Sequence, residues 1–283
     1  MPKEQIVVQL NPDVTPSGSD LAVCNAARRS FGKRSEWIDV TTKGVDVTHY
    51  PDKHLYETHK ELKPEDKRLI EFLARGLTAK DFEQFKLDVG GEGLDWLYYM
   101  NNNREQNLIE LLWKWRNTPT HDTPFNHCHI SFEVKAPIFV ARQLVKTEYT
   151  VLSEFSRRYI TDDVEFYTHD YREASKDKKQ GSGGTHKDNA HWQKKALQQN
   201  KQALDLYNSM IANGVAPEQA RGVLPVDLMT SWTWSATLGA FAKMCRERLG
   251  SDAQAESRYV AEKVYGFMKQ YYPVSAKALV EGC

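Results

Sequence analysis

Residues 123–159 read TPFNHCHISFEVKAPIFVARQLVKTEYTVLSEFSRRY. They pass from a turn through a strand and a Pro-started helix into a polar loop. Ile130, Phe132 and Val134 alternate with His129, Ser131, Glu133 and Lys135, the two-residue period of a half-buried strand running on from His127. Pro137 suits the first turn of a helix, where its missing N–H would have no intrahelical partner. Ile138, Ala141, Leu144 and Val145 then make an apolar face and leave Arg142, Gln143 and Lys146 on polar ones. The closing loop crowds Glu148, Glu154, Ser156, Arg157 and Arg158 into a short span. Polar side chains converging where regular elements end suit the grip of an anionic ligand.

Outward from this stretch, residues 6–10 form a β-branched run that predicts an opening strand. Asp20 is placed to cap a helix through Leu21, Cys24 and Ala27 that ends near residues 29–31 and Gly32. Residues 41–64 are polar and rich in Tyr and His, which predicts a loop, and Pro64 starts a helix with Leu69, Phe72 and Leu73 on one face. Residues 79–116 predict a helical insertion that packs or contacts another subunit. Residues 174–187, ASKDKKQGSGGTHK, do not match G-x-x-x-x-G-K-[ST] and predict a flexible surface loop.

Trp192, Ala196, Ala203, Leu206 and Met210 recur at helical spacing before Gly214. After a short helix and Leu224-Pro225, residues 229–237 are rich in Trp, Thr and Ser and predict a strand. Two helices follow, over 238–249 and 252–271, with Ser251 and Gln254 forming a capping-box pattern at the start of the second. Helices outnumber strands and no repeat is present. The expected fold is α/β (α+β), a mixed sheet with packed helices in one domain over 1–283.

Lys plus Arg equals Asp plus Glu at 38 each, which argues against bulk electrostatic attraction to nucleic acid or membrane. Cys24, Cys128, Cys245 and Cys283 show no C-x-x-C spacing, so reduced thiols are expected. The N-terminus lacks the apolar core of a signal peptide, and no apolar run reaches the roughly 18 residues that span a bilayer. A cytoplasmic protein is expected.

His127 and His129, two apart on one strand face, lack an acidic or third His partner nearby, so no metal site is expected. Arg157, Arg158, Lys146 and Arg221 could converge on a phosphate, since guanidinium groups match its oxygens bidentately. Arg221 precedes an apolar Val-Leu-Pro and is expected to lie against structure. Ser156 beside Glu154 has no identifiable base, so a ligand hydrogen bond or a helix cap is expected rather than a nucleophile. Cys128 is expected to be a buried, inert thiol.

At four collinear places the chain resembles the flavin-dependent thymidylate synthases. Asn25-Ala26-Ala27-Arg28 through Ser30-Phe31-Gly32-Lys33 is similar to the family's N-terminal helix segment, and His121 to His127 to its flavin-contacting turn, H-x-[ST]-P-F-E-H. APIFVARQ at 136–143 followed by SEFSRRY at 153–159 is similar to the signature helix and N-E-x-S-x-R-Y. GVAPEQARGVLP at 214–225, with Arg248 and Ala253-Gln254 beyond it, resembles the C-terminal half.

The resemblance implies the family's fold and one-carbon transfer from methylenetetrahydrofolate to C5 of a pyrimidine deoxynucleotide, ordinarily dUMP to dTMP. It also implies FAD, NADPH as electron source, and a homotetramer with shared sites. Membrane or direct nucleic-acid binding is not expected. Gln143, Lys146, Glu154, Ser156, Arg157, Arg158, Arg221 and Arg248 fall at or beside implied substrate-binding positions. His121, Thr123, Asn126, Thr147, Glu148, Thr237 and Asp252 fall at or beside implied cofactor-binding ones. The family binds and orients its reactants and uses no enzyme nucleophile.

The departures cluster at the cofactor. The family's R-H-R is Lys146-Thr147-Glu148 here, and its later Ser is Val151. Its usual Asn and Arg are Thr237 and Gly239, and its later His is Asp252. Arg replaced by Glu reverses a charge beside a phosphate-rich cofactor, a change worth ~1–3 kcal/mol for a charge-assisted hydrogen bond. Two other outcomes follow from that change: C5 hydroxymethylation of dUMP or dCMP, and a non-catalytic nucleotide-binding homologue without FAD.

Overall fold

The computed structural model describes residues 2–44, 55–75, 121–175 and 182–282. In chain order these form β1 (Val7–Leu10), α1 (Asp20–Arg28), β2 (Ile38–Gly44), β3 (Leu55–Glu61), α2 (Pro64–Ala74), β4 (His129–Pro137), α3 (Ile138–Leu144) and β5 (Thr150–Glu154). There follow β6 (Arg172–Ala174), β7 (Ser182–Thr185), α4 (Asn189–Ala212), α5 (Pro217–Ala220), β8 (Met229–Thr237), α6 (Leu238–Arg248), α7 (Ala255–Tyr271) and α8 (Pro273–Val280). The helical insertion expected at 79–116 lies outside the described residues.

The chain divides into two compact units, Met1–Pro16 with His129–Met268, and Ser17–Cys128 with Lys269–Cys283. Each unit is assembled from two separate stretches of the chain.

In the first unit a sheet of order β1-β4-β8-β5 is antiparallel at every pairing, where a mixed sheet was expected. β4 and β8 pair along their full length, from His129 opposite Thr237 to Pro137 opposite Met229. Phe132 and Trp234 are direct cross-strand partners and both are fully buried. Their rings meet Phe241 of α6 edge-on at 5.1 and 5.0 Å, an arrangement that satisfies the ring quadrupoles as well as burying area.

α3 begins where β4 ends. Its first amides are satisfied from outside the helix: Ile138 N donates to Leu228 O and Phe139 N to Val226 O. These bonds fix the start of α3 beside the start of β8. Thr150–Glu154, expected as loop, is the edge strand β5 on the far side of β8. Val151 on it is 70% exposed, so β5 lacks the apolar alternation that reveals a strand.

Other expectations shift in the same way. Residues 41–64 were read as loop, but β2 and β3 pair there from Ile38 opposite Glu61 to Gly44 opposite Leu55. Among the described side chains the ribbon carries Ile38 and Val40 on one face and is otherwise polar, with Thr41 and Thr58 hydroxyls 3.1 Å apart. The stretch 174–187 was read as flexible, yet its flanks pair as β6 and β7. The helix α4 forms as expected, but Trp192 and Leu206 are about half exposed while Asn200, Ala203 and Tyr207 are buried. α7 starts at Ala255, not 252, and the Gln254 side chain bonds to Gln143, not in a capping box. His127 belongs to a 3-10 turn over Thr123–His127 and not to β4.

In the second unit Ser19, not Asp20, caps α1 by accepting from Ala22 N. Asp20 is buried and caps α8 instead, accepting from the amides of Val274 and Ser275 at 2.9 Å each. Gly18 has φ +82, and a Cβ there would meet Cys128 Sγ at 2.5 Å, so only glycine fits. Cys128 is fully buried, and burial pushes its thiol up to about 11, in line with an inert group. No described helix is long and apolar enough to cross a membrane.

Candidate functional site

The end of β5, the loop after it, the turn that follows α5 and the start of β8 line a cleft of about 340 Å³ in the first unit. Glu154, Ser156, Arg157, Arg158 and Arg221, five of the residues singled out from sequence, line it together with Phe155 and Thr230. Ile138, Leu224, Leu228 and Met229 supply its apolar wall. Three guanidinium groups face one carboxylate, so the cleft favours an anion.

Each side chain is placed by its backbone. Phe155 N donates to Ser231 O at 2.8 Å, which carries the β5–β8 pairing one residue past Glu154 and turns the chain at Ser156. Ser156 accepts from Arg158 Nε at 3.3 Å, and the Arg158 guanidinium lies 5.1 Å from the Tyr159 ring centroid. Arg221 is exposed, and only its Nε is engaged among the described residues, with Glu218 O at 3.3 Å. Among the described residues, the Nη groups of Arg158 and Arg221 have no partner and are left to the cleft.

Arg157 behaves differently from its neighbour. It is 8% exposed, its Nη groups donate to the carbonyls of Asp162 and Asp163, and it stacks over Phe155 at 4.9 Å. Asp163 has φ 52, a left-handed conformation that Asp tolerates better than most residues. Arg157 is thus a brace for the loop rather than a free phosphate clamp.

Gln143 and Arg248 meet each other but do not line this cleft. Gln143 donates to Gln254, accepts from Ser257 Oγ at 2.8 Å, and its carbonyl accepts from Arg248 Nη2 at 3.2 Å. Arg248 Nε is buried without a partner among the described residues. The first turn of α7 that carries Ser257 is anchored by Glu256, which takes a 2.8 Å ion pair from Arg172 Nη2 and is 3% exposed. Burial raises the Glu256 carboxyl, but the Arg172 hydrogen bond and those from its own amide and Gln254 outweigh it, leaving it below the usual carboxylate range.

Lys146-Thr147-Glu148 sits on the turn between α3 and β5. Lys146 is exposed, Thr147 Oγ1 is buried without a partner among the described residues, and Tyr149 beyond them is left-handed at φ 61. Glu148 is held by Lys243 Nζ at 2.6 Å. That hydrogen bond and charge lower the Glu148 carboxyl and raise the Lys243 ammonium. The charge reversal expected from sequence is offset locally, because Lys146, Glu148 and Lys243 together carry one net positive charge. Nothing in the sequence linked Lys243 to Glu148, 95 residues away.

Of the other residues expected at a cofactor, Thr237 caps α6 by accepting from Ala240 N, and Asp252 lies in the exposed turn before α7. His121, Thr123 and Asn126 lie in the second unit, where the His121 ring stacks on Phe72 at 5.7 Å.

The family model for Thymidylate synthase complementing protein matches residues 58–274. A flavin-dependent thymidylate synthase of Ehrlichia ruminantium is 29% identical over 247 residues, covering 86% of this chain and 79% of the relative. One from Thermus thermophilus is 35% identical over 176 residues, covering 62% and 63%. Among solved structures, the UMP/dUMP methylase PolB of Streptomyces cacaoi, bound with 5-Br dUMP, aligns with a TM-score of 0.65 at 23% identity. That alignment covers 98% of this chain and 95% of the other, and at such identity it speaks to the fold.

Proposed function

The chain belongs to the thymidylate synthase complementing protein family, and on that premise we propose that it transfers a one-carbon unit from methylenetetrahydrofolate to C5 of dUMP, giving dTMP. The observation that carries this reading is the convergence of Glu154, Ser156, Arg158 and Arg221 on one cleft. Arg158 and Arg221 hold the nucleotide phosphate through their free Nη groups, and Ser156 adds a hydroxyl. Glu154 accepts a hydrogen bond from the ligand. Ile138, Leu224, Leu228 and Met229 keep water from the apolar side of the nucleotide.

The residues fit FAD in their donor chemistry: the local charge at Lys146, Glu148 and Lys243 is positive, and the buried Thr147 hydroxyl has no partner among the described residues. When bound, FAD supplies the electrons that reduce the transferred carbon, with NADPH as their source. His121, Thr123, Asn126, Thr147, Thr237 and Asp252 belong to that cofactor's binding set in this reading. Self-association as a homotetramer is part of the same proposal. It is supported by large apolar side chains in water, among them Tyr149 at 83%, Val151 at 70% and Leu197 at 69% exposure. Light scattering on the purified protein measures that state.

A second reading, hydroxymethylation of dUMP or dCMP, draws on Glu148, a carboxylate where the family carries a cation. Incubation with nucleotide, methylenetetrahydrofolate, FAD and NADPH, followed by mass analysis, separates the readings. The proposal expects dUMP to gain one methylene unit. A gain of methylene plus oxygen supports the second reading, and no gain contradicts both.

A further inference from the structure

Thr230 stands out on β8 because it is a hydroxyl on the strand's core face, two residues before Trp232 and four before Trp234. It is 7% exposed and lines the cleft. A buried hydroxyl needs a hydrogen-bond partner, and a carboxylate at a strand end needs something to hold its rotamer. Each meets the other's need: Thr230 Oγ1 donates to Glu154 Oε1 at 2.8 Å. Glu154 is opposite Trp232 in the β5–β8 ladder, so Thr230 is its diagonal neighbour on the same face. The hydrogen bond turns one carboxylate oxygen toward the strand. The other, Oε2, has no partner among the described residues and is left to the cleft.

We propose that Thr230 is a positioning residue that fixes Glu154 so that Oε2 reads a hydrogen-bond donor on the bound nucleotide. The inference rests on the reading of the cleft as a pyrimidine nucleotide site. A carboxylate oxygen only accepts, so the group it reads is a donor: a sugar hydroxyl or the base N–H. Holding the carboxylate in advance removes a rotamer cost that a free Glu would meet on binding.

The test uses the full-length, FAD-supplied protein and two substitutions. Thr230→Val keeps the volume and β-branching and removes only the donor. Glu154→Gln keeps an acceptor for Thr230 and turns the ligand-facing atom into a donor. Binding is measured for deoxyuridylate, for 2′,3′-dideoxyuridylate, which lacks the sugar hydroxyl, and for N3-methyl-deoxyuridylate, which lacks the base N–H. Thr230→Val is expected to weaken deoxyuridylate about tenfold, the scale of one hydrogen bond to a charged group. Thr230→Ser restores binding to within about twofold, because the donor returns. The Val and Gln penalties both vanish for one of the two analogues, and that analogue names the donor.

Wild-type affinity in Thr230→Val, or an equal penalty with both analogues, overturns the inference while the nucleotide site stands. If the Val protein does not fold, the Glu154→Gln pattern decides alone: a penalty that vanishes for one analogue supports the inference, and one shared by both overturns it. Absence of deoxyuridylate binding by the wild-type protein overturns the nucleotide reading and the inference with it.

Discussion

Lys243 Nζ lies 2.6 Å from Glu148 Oε2, and this contact offsets the negative charge that Glu148 brings to the Lys146-Thr147-Glu148 triplet. The pair is at the surface, so its effect on stability is small. In the proposed cofactor role the pair acts on the anionic FAD through its charge. Lys243→Met is expected to weaken FAD binding about tenfold, read by flavin fluorescence, with an unchanged melting temperature. Adding Glu148→Gln to that variant removes the unpaired carboxylate and recovers part of the affinity. Equal FAD affinity in all three proteins contradicts a cofactor role for the pair.

Two adjacent arginines should separate stability from binding. Arg157→Ala removes the brace on the Asp162 and Asp163 carbonyls and exposes a cavity beside Phe155. It is expected to lower stability by about 2–3 kcal/mol in a denaturant titration. Arg158→Ala, with an exposed side chain, should leave the denaturation midpoint in place and raise KM for dUMP. The opposite pattern would show that the two roles are reversed.

Two buried carboxylates make opposite contributions to acid stability. Burial raises the Glu256 carboxyl, but its bonds from Arg172, its own amide and Gln254 bring it below the unfolded value. The stability it adds is present above the unfolded pKa and lost as pH falls through the folded one. Burial raises the Asp20 carboxyl despite bonds from Ser275 and Val274. Asp20 therefore favours the fold most when protonated, below its unfolded pKa, and that advantage is lost as pH rises through its folded one. Denaturation midpoints between about pH 3 and 6 should fall less steeply with acid in Glu256→Gln than in the wild type.

Asp20→Ala leaves the Val274 and Ser275 amides at the start of α8 without an acceptor. A loss of about 1–3 kcal/mol is expected, as for a helix cap whose donors stay buried. Thermal unfolding checks it, and a change below about 0.5 kcal/mol would mean that water replaces the carboxylate.

What could be read from sequence follows periodicity. β4 and β8 sit one face in the core, so their alternation marks them, and Pro64 and Gly32 punctuate helices by their own backbone limits. The cleft's polar residues were legible because Glu154, Ser156 and Arg158 are close in sequence. β5 and the β2–β3 ribbon were not, since β5 sets Val151 beside Leu152 and the alternation in β2 ends after Ile38 and Val40. Asp20, Lys243 and Thr230 were also hidden, because each acts on a partner 76 to 255 residues away. A single sequence carries no local trace of such pairs.

The most direct test of the nucleotide site compares dUMP with deoxyuridine, which lacks only the phosphate, by calorimetric titration. The wild-type protein is expected to prefer the nucleotide about a hundredfold, the scale of two guanidinium–phosphate contacts. Arg158→Ala combined with Arg221→Ala should abolish that preference and leave deoxyuridine affinity unchanged. Equal wild-type affinity for the two ligands, or a preference that survives both substitutions, would contradict the assignment of this cleft.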